Sequence, residues 1–170
     1  MFTSCSTPTA PLTASSATSA SPATQPAASV GLLPGNAAPE FSTTLLSGTV
    51  SGSKAVRGKV VLLNFWATWC GPCRTEMPFF QKLADANKER GLLVLAINNR
   101  ESPDKIQPFL DEHRLRFDIG LDRSGKINTQ YEVHQYPTTY VLDHNGVILA
   151  RQFGPFDEAA LEAALSGWLK

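Results

Sequence analysis

Two cysteines, Cys70 and Cys73, are separated by a Gly-Pro dipeptide and are the residues best suited to chemistry in this sequence. An apolar run at residues 60–66, typical of a buried strand, leads directly to them. The residues that follow have the apolar spacing of an amphipathic helix. Two cysteines three positions apart in the first turn of a helix can close a small disulfide ring. The sequence therefore predicts a redox-active dithiol between a strand and a helix.

The two thiols are expected to play different roles. Cys70 would lie at the helix N-terminus, where unpaired backbone N–H groups and the helix dipole favour a negative charge. Because the thiolate is the attacking species, Cys70 is predicted to be the nucleophile, kept near the surface by Trp69 and Gly71. Cys73 would lie one turn further in and less exposed. It is predicted to displace the product from the mixed disulfide.

Charge, hydropathy and length predict the domain organisation of the chain and exclude some classes of partner. Lys plus Arg and Asp plus Glu both number 15 among 170 residues, so the formal net charge is zero. No basic run points to nucleic acid or to a charge-steered membrane contact. No apolar run reaches the roughly 18 residues that a membrane span needs. Length and composition predict a single monomeric domain over residues 39–170, preceded by a tail over residues 1–38.

The tail contains no Lys, Arg, Asp or Glu and is dominated by Ser, Thr, Pro and Ala. Such a segment buries too little apolar surface to offset its ordering entropy, so a disordered tether is expected. Cys5 lies near its start, after Phe2-Thr3-Ser4, which resembles the end of a bacterial lipoprotein signal. Phe2 departs from the usual Leu, and the printed sequence has no charged and apolar signal region ahead of it. Cys5 is interpreted as a lipid anchor, with a chance cysteine as the alternative.

The remaining patterns predict alternating strands and helices. We expect an α/β fold with a mixed sheet covered by helices on both faces. The expected elements are a hairpin at 40–50, a strand at 59–66, a helix at 72–89 containing Pro78, a strand at 92–97, a helix at 103–114, a short extended piece at 117–119, a short helix at 124–131, a hairpin of strands 137–142 and 147–153, and a last helix from Asp157.

The sequence Phe-Trp-Ala-Thr-Trp-Cys-Gly-Pro-Cys at residues 65–73 resembles the active-site signature of the thioredoxin superfamily. Three details resemble the TlpA/ResA branch of extracytoplasmic thiol-disulfide oxidoreductases more than cytosolic thioredoxin. These are the Leu-Asn-Phe-Trp-Ala-Thr-Trp opening, the Arg-Thr-Glu-Met-Pro continuation and an extra segment at about residues 99–122. The resemblance implies a thioredoxin fold with an N-terminal β-hairpin and a central insertion.

The resemblance also implies roles for residues around the dithiol. Gly71 and Pro72 would tune the reduction potential. Pro137 would be a cis-proline facing the two sulfurs, and backbone groups of Tyr136 would pair with an extended substrate. Trp69 would contact the substrate. No metal and no cofactor other than the Cys70–Cys73 disulfide is implied.

Proton transfer to and from Cys73 needs a base. Cytosolic thioredoxin has an aspartate on its central strand, but here that position is Asn64, which does not titrate. Glu76 follows Cys73 by three residues and so shares its helix face. If Glu76 is partly buried, its pKa should rise and it could accept and return the proton. The alternatives are a solvated first-turn Glu76 and a purely structural, hydrogen-bonded Asn64.

Several functions remain open at this stage. The favoured one is a reductase of disulfide-containing client proteins such as apocytochrome c, drawing electrons from a membrane thiol carrier. The Cys-Gly-Pro-Cys motif resembles reducing thioredoxins and disfavours a thiol oxidase or isomerase. A metal-binding function is disfavoured because this chain lacks the second cysteine pair that a zinc site would need. A peroxiredoxin would need Pro and Thr where Leu63 and Ala67 stand. The expected location is extracytoplasmic and membrane-tethered.

Overall fold

The computed structural model describes residues 28–169, which contain seven strands and four helices. In chain order these are β1 Ser42–Leu45, β2 Val50–Gly52, β3 Val60–Trp66, α1 Gly71–Asn87, β4 Leu92–Asn99, α2 Pro103–His113, β5 Asp118–Asp122, α3 Lys126–Gln130, β6 Thr138–Leu142, β7 Ile148–Phe153 and α4 Glu158–Trp168.

All seven strands belong to one mixed sheet in the order β2-β1-β5-β4-β3-β6-β7. Strands β3, β4 and β5 are parallel, whereas β6 and β7 form an antiparallel hairpin beside β3. The N-terminal hairpin β1–β2 joins the sheet through antiparallel pairing of β1 with β5. The α/β architecture, the N-terminal hairpin and the inserted segment are thus as predicted. The piece expected at 117–119 is in fact a full interior strand, β5.

Strand β3 is buried along its whole length because helices and loops cover both faces of the sheet. Successive side chains of a strand point to opposite faces. The odd-numbered residues of β3 join a cluster that contains Tyr131 and Tyr140 on the α3 side. The apolar even-numbered residues join clusters containing buried residues of α1, α2 and α4. Asn64 is therefore the polar position in a row that faces α1.

The folded part begins earlier than the predicted boundary at residue 38. Backbone N–H groups of Gly35 and Ala38 donate to the carbonyls of Ile148 and Gly146 at 2.8 and 2.9 Å. Ile148 N–H in turn donates to the carbonyl of Asn36 at 2.9 Å. The side chain of Leu32 packs on the cluster of the α3 side. Residues 29–38 consequently belong to the domain and not to the tether.

The predicted lipid anchor, Cys5, lies outside the described residues. Within residues 28–169, none of the helices is both long enough and apolar enough to cross a bilayer.

Candidate active site

Cys70 and Cys73 form a disulfide at the N-terminus of α1, with their Cα atoms 5.3 Å apart. Cys70 is the N-cap residue, and its Sγ accepts a hydrogen bond from the backbone N–H of Cys73 at 3.2 Å. Pro72 fits the first turn because the N–H that it lacks would have no partner inside the helix. The sulfur of Cys70 therefore lies where a helix best stabilises a thiolate.

The two cysteines differ slightly in exposure. Cys70 retains 4% of its surface, whereas Cys73 is completely buried. Gly71 and Pro72 between them are exposed. Both sulfurs belong to the apolar cluster that also contains the buried Trp66. Trp66 is thus a core residue beside the dithiol, while Cys70 is the sulfur nearer to solvent.

Aromatic residues border the dithiol. Trp69, directly before Cys70, is 66% exposed. Its ring meets the ring of Tyr136 edge to face, with the centroids 5.6 Å apart. Residues Trp69 and Tyr136 are called the aromatic pair below. An exposed tryptophan next to a reactive sulfur is typical of a binding surface.

The register of β6 brings Pro137 to the same end of the sheet as the dithiol. Thr138, the first residue of β6, is paired with Phe65 near the C-terminal end of β3. The preceding Tyr136–Pro137 peptide bond is cis, as the resemblance implied. Pro137 itself is buried, and its carbonyl accepts the N–H of Gly154 at 2.8 Å.

Glu76 is buried below the dithiol, with only 5% of its surface exposed. Its Oε1 accepts a hydrogen bond from the Asn64 side chain at 3.1 Å, but Oε2 has no partner among the described residues. Burial raises the pKa of Glu76 to about 7, although the Phe156 backbone N–H and the Asn64 amide act in the opposite direction. The carboxyl can therefore gain or lose a proton near neutral pH, and a solvated first-turn glutamate is excluded.

A shallow pocket of about 270 Å³ connects Glu76 with the surface. Its lining residues are Pro72, Thr75, Glu76, Pro155, Phe156 and Glu158. The loop before α4 thus borders the active site. A buried carboxyl that lines an open pocket can exchange its proton with solvent without unfolding.

Three polar residues near the site had no signal in the sequence. Thr139 accepts a second hydrogen bond from the Asn64 amide at 2.9 Å. Glu101 accepts a hydrogen bond from Thr68, which directly precedes Trp69, and Asn128 accepts one from the phenol of Tyr136 itself. Only the folded sheet brings these residues together. Within residues 28–169 no group of three His, Cys, Asp or Glu side chains is arranged to hold a metal ion.

A mixed sheet of this topology with a Cys-x-x-Cys disulfide at a helix N-terminus defines a thiol-disulfide oxidoreductase of the thioredoxin class. Comparison with known proteins agrees with that class. The profile of the AhpC/TSA family matches residues 34–151. The chain belongs to this family.

Individual relatives indicate which kind of thiol-disulfide oxidoreductase this chain is. The chain is 43% identical over 139 residues to the thioredoxin-like protein YneN of Bacillus subtilis, covering 80% of this chain and 81% of YneN. It is 34% identical over 131 residues to the thiol-disulfide oxidoreductase ResA of Bacillus cereus, covering 77% and 76% of the two chains. The crystal structure of a putative thiol:disulfide interchange protein DsbE from Chlorobium tepidum superposes with a TM-score of 0.76 at 32% identity, covering 81% of this chain and 98% of that one. The chain is a thiol-disulfide oxidoreductase of the ResA/DsbE type.

Proposed function

We propose that this enzyme works as an extracytoplasmic protein-disulfide reductase that keeps client cysteine pairs, such as those of apocytochrome c, in the thiol form. The observation that carries the proposal is the pairing of an N-terminal helix disulfide with the buried, titratable Glu76. The relationship to ResA and the Cys-Gly-Pro-Cys motif support the reducing direction. Disulfides form mainly in extracytoplasmic compartments, so a reductase of client disulfides has substrates there.

The first step is nucleophilic attack by Cys70. In the reduced enzyme its thiolate attacks one sulfur of the client disulfide, forming a new bond from Sγ to that sulfur and breaking the client S–S bond. The other client sulfur leaves as a thiolate and takes a proton. The helix N-terminus stabilises the charge on Cys70 before attack, and the aromatic pair and the Tyr136 backbone hold the client segment.

The second step resolves the mixed disulfide. Glu76 in its carboxylate form takes the proton of the Cys73 thiol, which is otherwise costly to ionise because it is buried. The Cys73 thiolate attacks Cys70 Sγ, the intramolecular disulfide closes, and the second client sulfur leaves as a thiolate. Glu76 then gives up its proton through the pocket beside Phe156. The client has gained two electrons and the enzyme has lost two.

A donor must return those two electrons. A membrane thiol-electron carrier would do so by the same exchange run in reverse, its thiolate attacking the Cys70–Cys73 disulfide. Attachment of the tail to the membrane through a lipid on Cys5 would keep the enzyme close to that carrier. Membrane fractionation and mass spectrometry of the N-terminal peptide test this attachment. The parent protein should be membrane-bound with a lipid on Cys5, and Cys5→Ser should be released and carry no lipid. A parent peptide without lipid would contradict the attachment.

The reduction potential decides between a reductase and an oxidase. We expect a value closer to the roughly −270 mV of thioredoxin than to the roughly −120 mV of DsbA. Equilibration with glutathione or dithiothreitol buffers, followed by thiol counting, gives the value. A potential near −120 mV would contradict the reducing function and favour an oxidase.

The client can be identified by stopping the reaction at the mixed disulfide. Cys73→Ser removes the resolving thiol and leaves Cys70 bonded to its client. We expect the trapped partners to include apocytochromes with haem-binding cysteine pairs, identified by mass spectrometry after diagonal electrophoresis. The Cys70→Ser/Cys73→Ser double variant is the matched control, because it forms no mixed disulfide.

A further inference from the structure

The aromatic pair needs support that its own packing does not give. Trp69 lies on a short loop between β3 and α1 and exposes most of its ring, and Tyr136 is half-buried on the loop before β6. Loops of this kind sample many conformations unless side chains fix them. Two buried carboxylates in the described structure provide such contacts, one for each aromatic residue.

Glu101 supports the loop that carries Trp69. Its carboxylate accepts the backbone N–H of Thr68 at 2.7 Å and the Thr68 hydroxyl at 2.5 Å. It also accepts the side-chain amide of Asn98 at 2.8 Å, and Glu101 is 9% exposed. A buried carboxylate with three donors is rigidly held, and so is the group that it binds. The residue directly before Trp69 is thereby fixed to the C-terminal end of β4.

Asp122 and Asn128 support Tyr136 in a similar way. Asp122 is 3% exposed, and one of its oxygens accepts both the backbone N–H and the side-chain amide of Asn128, each at 2.8 Å. The Asn128 side-chain oxygen then accepts the phenol of Tyr136 at 2.7 Å. The phenol of Tyr136 is protonated at neutral pH and able to donate, and burial raises its pKa further.

The two sets of contacts start from adjacent strand ends. Arg100, between β4 and Glu101, donates its backbone N–H to the carbonyl of Asp122 at 3.1 Å. Its φ of 60° is in the left-handed region, which a non-glycine residue adopts only when its surroundings require it. This turn directs Glu101 back towards Thr68. The ends of β4 and β5 therefore form one base from which both aromatic residues are held.

We propose that Glu101 and Asn128 are positioning residues that fix Trp69 and Tyr136 as a rigid recognition surface for the client segment next to the attacked disulfide. This inference rests on the proposed function. Its occupant is an extended polypeptide that carries an apolar side chain beside its cysteine, because such a side chain would contact the two rings. A preformed surface avoids the entropy cost of ordering two aromatic side chains on binding. A small disulfide that does not reach the aromatic pair would gain nothing from it.

The test compares a peptide disulfide with a small disulfide. The reduced full-length enzyme would be assayed with a disulfide-bonded peptide that has Phe or Leu next to each cysteine, and with bis(2-hydroxyethyl) disulfide, which has no aromatic or bulky apolar group. For Glu101→Gln and for Asn128→Ala we expect KM for the peptide to rise about five- to tenfold, the size of one or two lost hydrogen bonds, with kcat changed less than twofold. The reaction with the small disulfide should change by less than twofold.

Matched variants separate positioning from loss of folding. Thr68→Val removes the hydroxyl that Glu101 holds, whereas Thr68→Ser keeps it; only the valine variant should raise KM. Glu112→Gln removes an exposed glutamate of α2 and should behave as the parent enzyme. The ¹⁹F resonance of Trp69 in 5-fluorotryptophan-labelled enzyme, assigned with Trp69→Phe, should broaden in Glu101→Gln and Thr68→Val only.

The outcomes are distinct. Unchanged peptide KM in folded Thr68→Val and Asn128→Ala, or equal losses for the peptide and the small disulfide, would overturn the inference. Failure of the parent enzyme to reduce either disulfide would instead overturn the proposed function. Should Glu101→Gln not fold, Thr68→Val and Asn128→Ala still give the answer.

Discussion

The side-chain amide of Asn64 on β3 donates a hydrogen bond to Oε1 of Glu76 on α1 across 3.1 Å. The same amide donates to the hydroxyl of Thr139 on β6 at 2.9 Å. A residue that cannot titrate thus holds the carboxyl that can. The other carboxyl oxygen, Oε2, has no hydrogen-bond partner among the described residues, so the Asn64 amide and the Phe156 backbone offset only part of the cost of burying a full negative charge. In the proposed mechanism this pair sets the proton chemistry of the dithiol.

Glu76→Gln should slow resolution of the mixed disulfide by about a hundredfold, the lower end of what a positioned general base contributes. Only the carboxylate can take the proton from Cys73, so the rate in the parent enzyme should rise with pH up to about 7 and then level off. That inflection should vanish in the variant. Stopped-flow release of a fluorescent peptide from its mixed disulfide measures the rate across pH 5–9.

Glu158→Gln is the control for this experiment. Glu158 lines the same pocket but is exposed to solvent. Its removal changes the local charge without touching the proton acceptor, so its pH profile should match that of the parent enzyme. An identical profile for Glu76→Gln would eliminate Glu76 as the base.

Folding stability should also change with pH because of Glu76, and its raised pKa fixes the direction of that change. Its pKa is 4.5 as a reference value and about 7 in the folded protein, so the folded state binds the proton more tightly. Stability therefore falls as pH rises from 4.5 to 7, by up to about 3 kcal/mol from this one group. Below pH 4.5 the group is protonated in both states and contributes no pH dependence.

Urea unfolding of the oxidised protein at pH 5 and pH 8 measures this effect. The parent should lose more unfolding free energy between the two pH values than Glu76→Gln, which has no carboxyl to ionise at that position. At pH 8 the variant should be the more stable protein. Equal losses in both proteins would mean that the carboxyl is not held in a buried site.

Asn64→Asp would place a second carboxyl within hydrogen-bond distance of Glu76. Two carboxylates this close do not both ionise readily, so the pair should titrate in two separated steps, the upper one above pH 7. The pH profile of resolution should shift to higher pH by about one unit or more. The Asn64→Asp/Glu76→Gln double variant, with one carboxyl left, should titrate in a single step. A pH profile unchanged in Asn64→Asp would exclude contact between the two side chains.

Sequence patterns are sufficient for the parts of the fold that rest on local order. The apolar run of β3 and the helical spacing of α1 each follow from side-chain period, and the Cys-Gly-Pro-Cys motif lies between them. Strand β5 was underestimated because Asp118 and Asp122 at its ends and Gly120 in its middle disfavour strand propensity. Its neighbours β4 and β1 supply the pairing that propensity does not.

Polar contacts around the site were less accessible to sequence reasoning. Glu76 shares a helix face with Cys73, and spacing alone identified it. Glu101 reaches Thr68 across 33 positions, and its pattern is that of any solvated residue near a helix start. Only the register of β3 against β4 decides that these two meet. Asn128 on α3 and Tyr136 on the loop before β6 are eight positions apart, and no helical or strand spacing predicts that their side chains meet.

The segment at residues 29–38 should contribute measurably to stability, although its composition predicted a disordered tether. It lacks charged residues, and its attachment depends on backbone hydrogen bonds to β7 and the preceding turn and on partial burial of Leu32, which composition does not reveal. A chain beginning at residue 39 should be less stable to urea than a chain beginning at residue 28 by about 1–3 kcal/mol, the net contribution of these bonds and that side chain.

Leu32→Ser in the longer chain should account for part of the loss. Leu33→Ser, which alters an exposed neighbour, should cost almost nothing. Equal stability of the two chains would show that the domain begins at residue 39 after all.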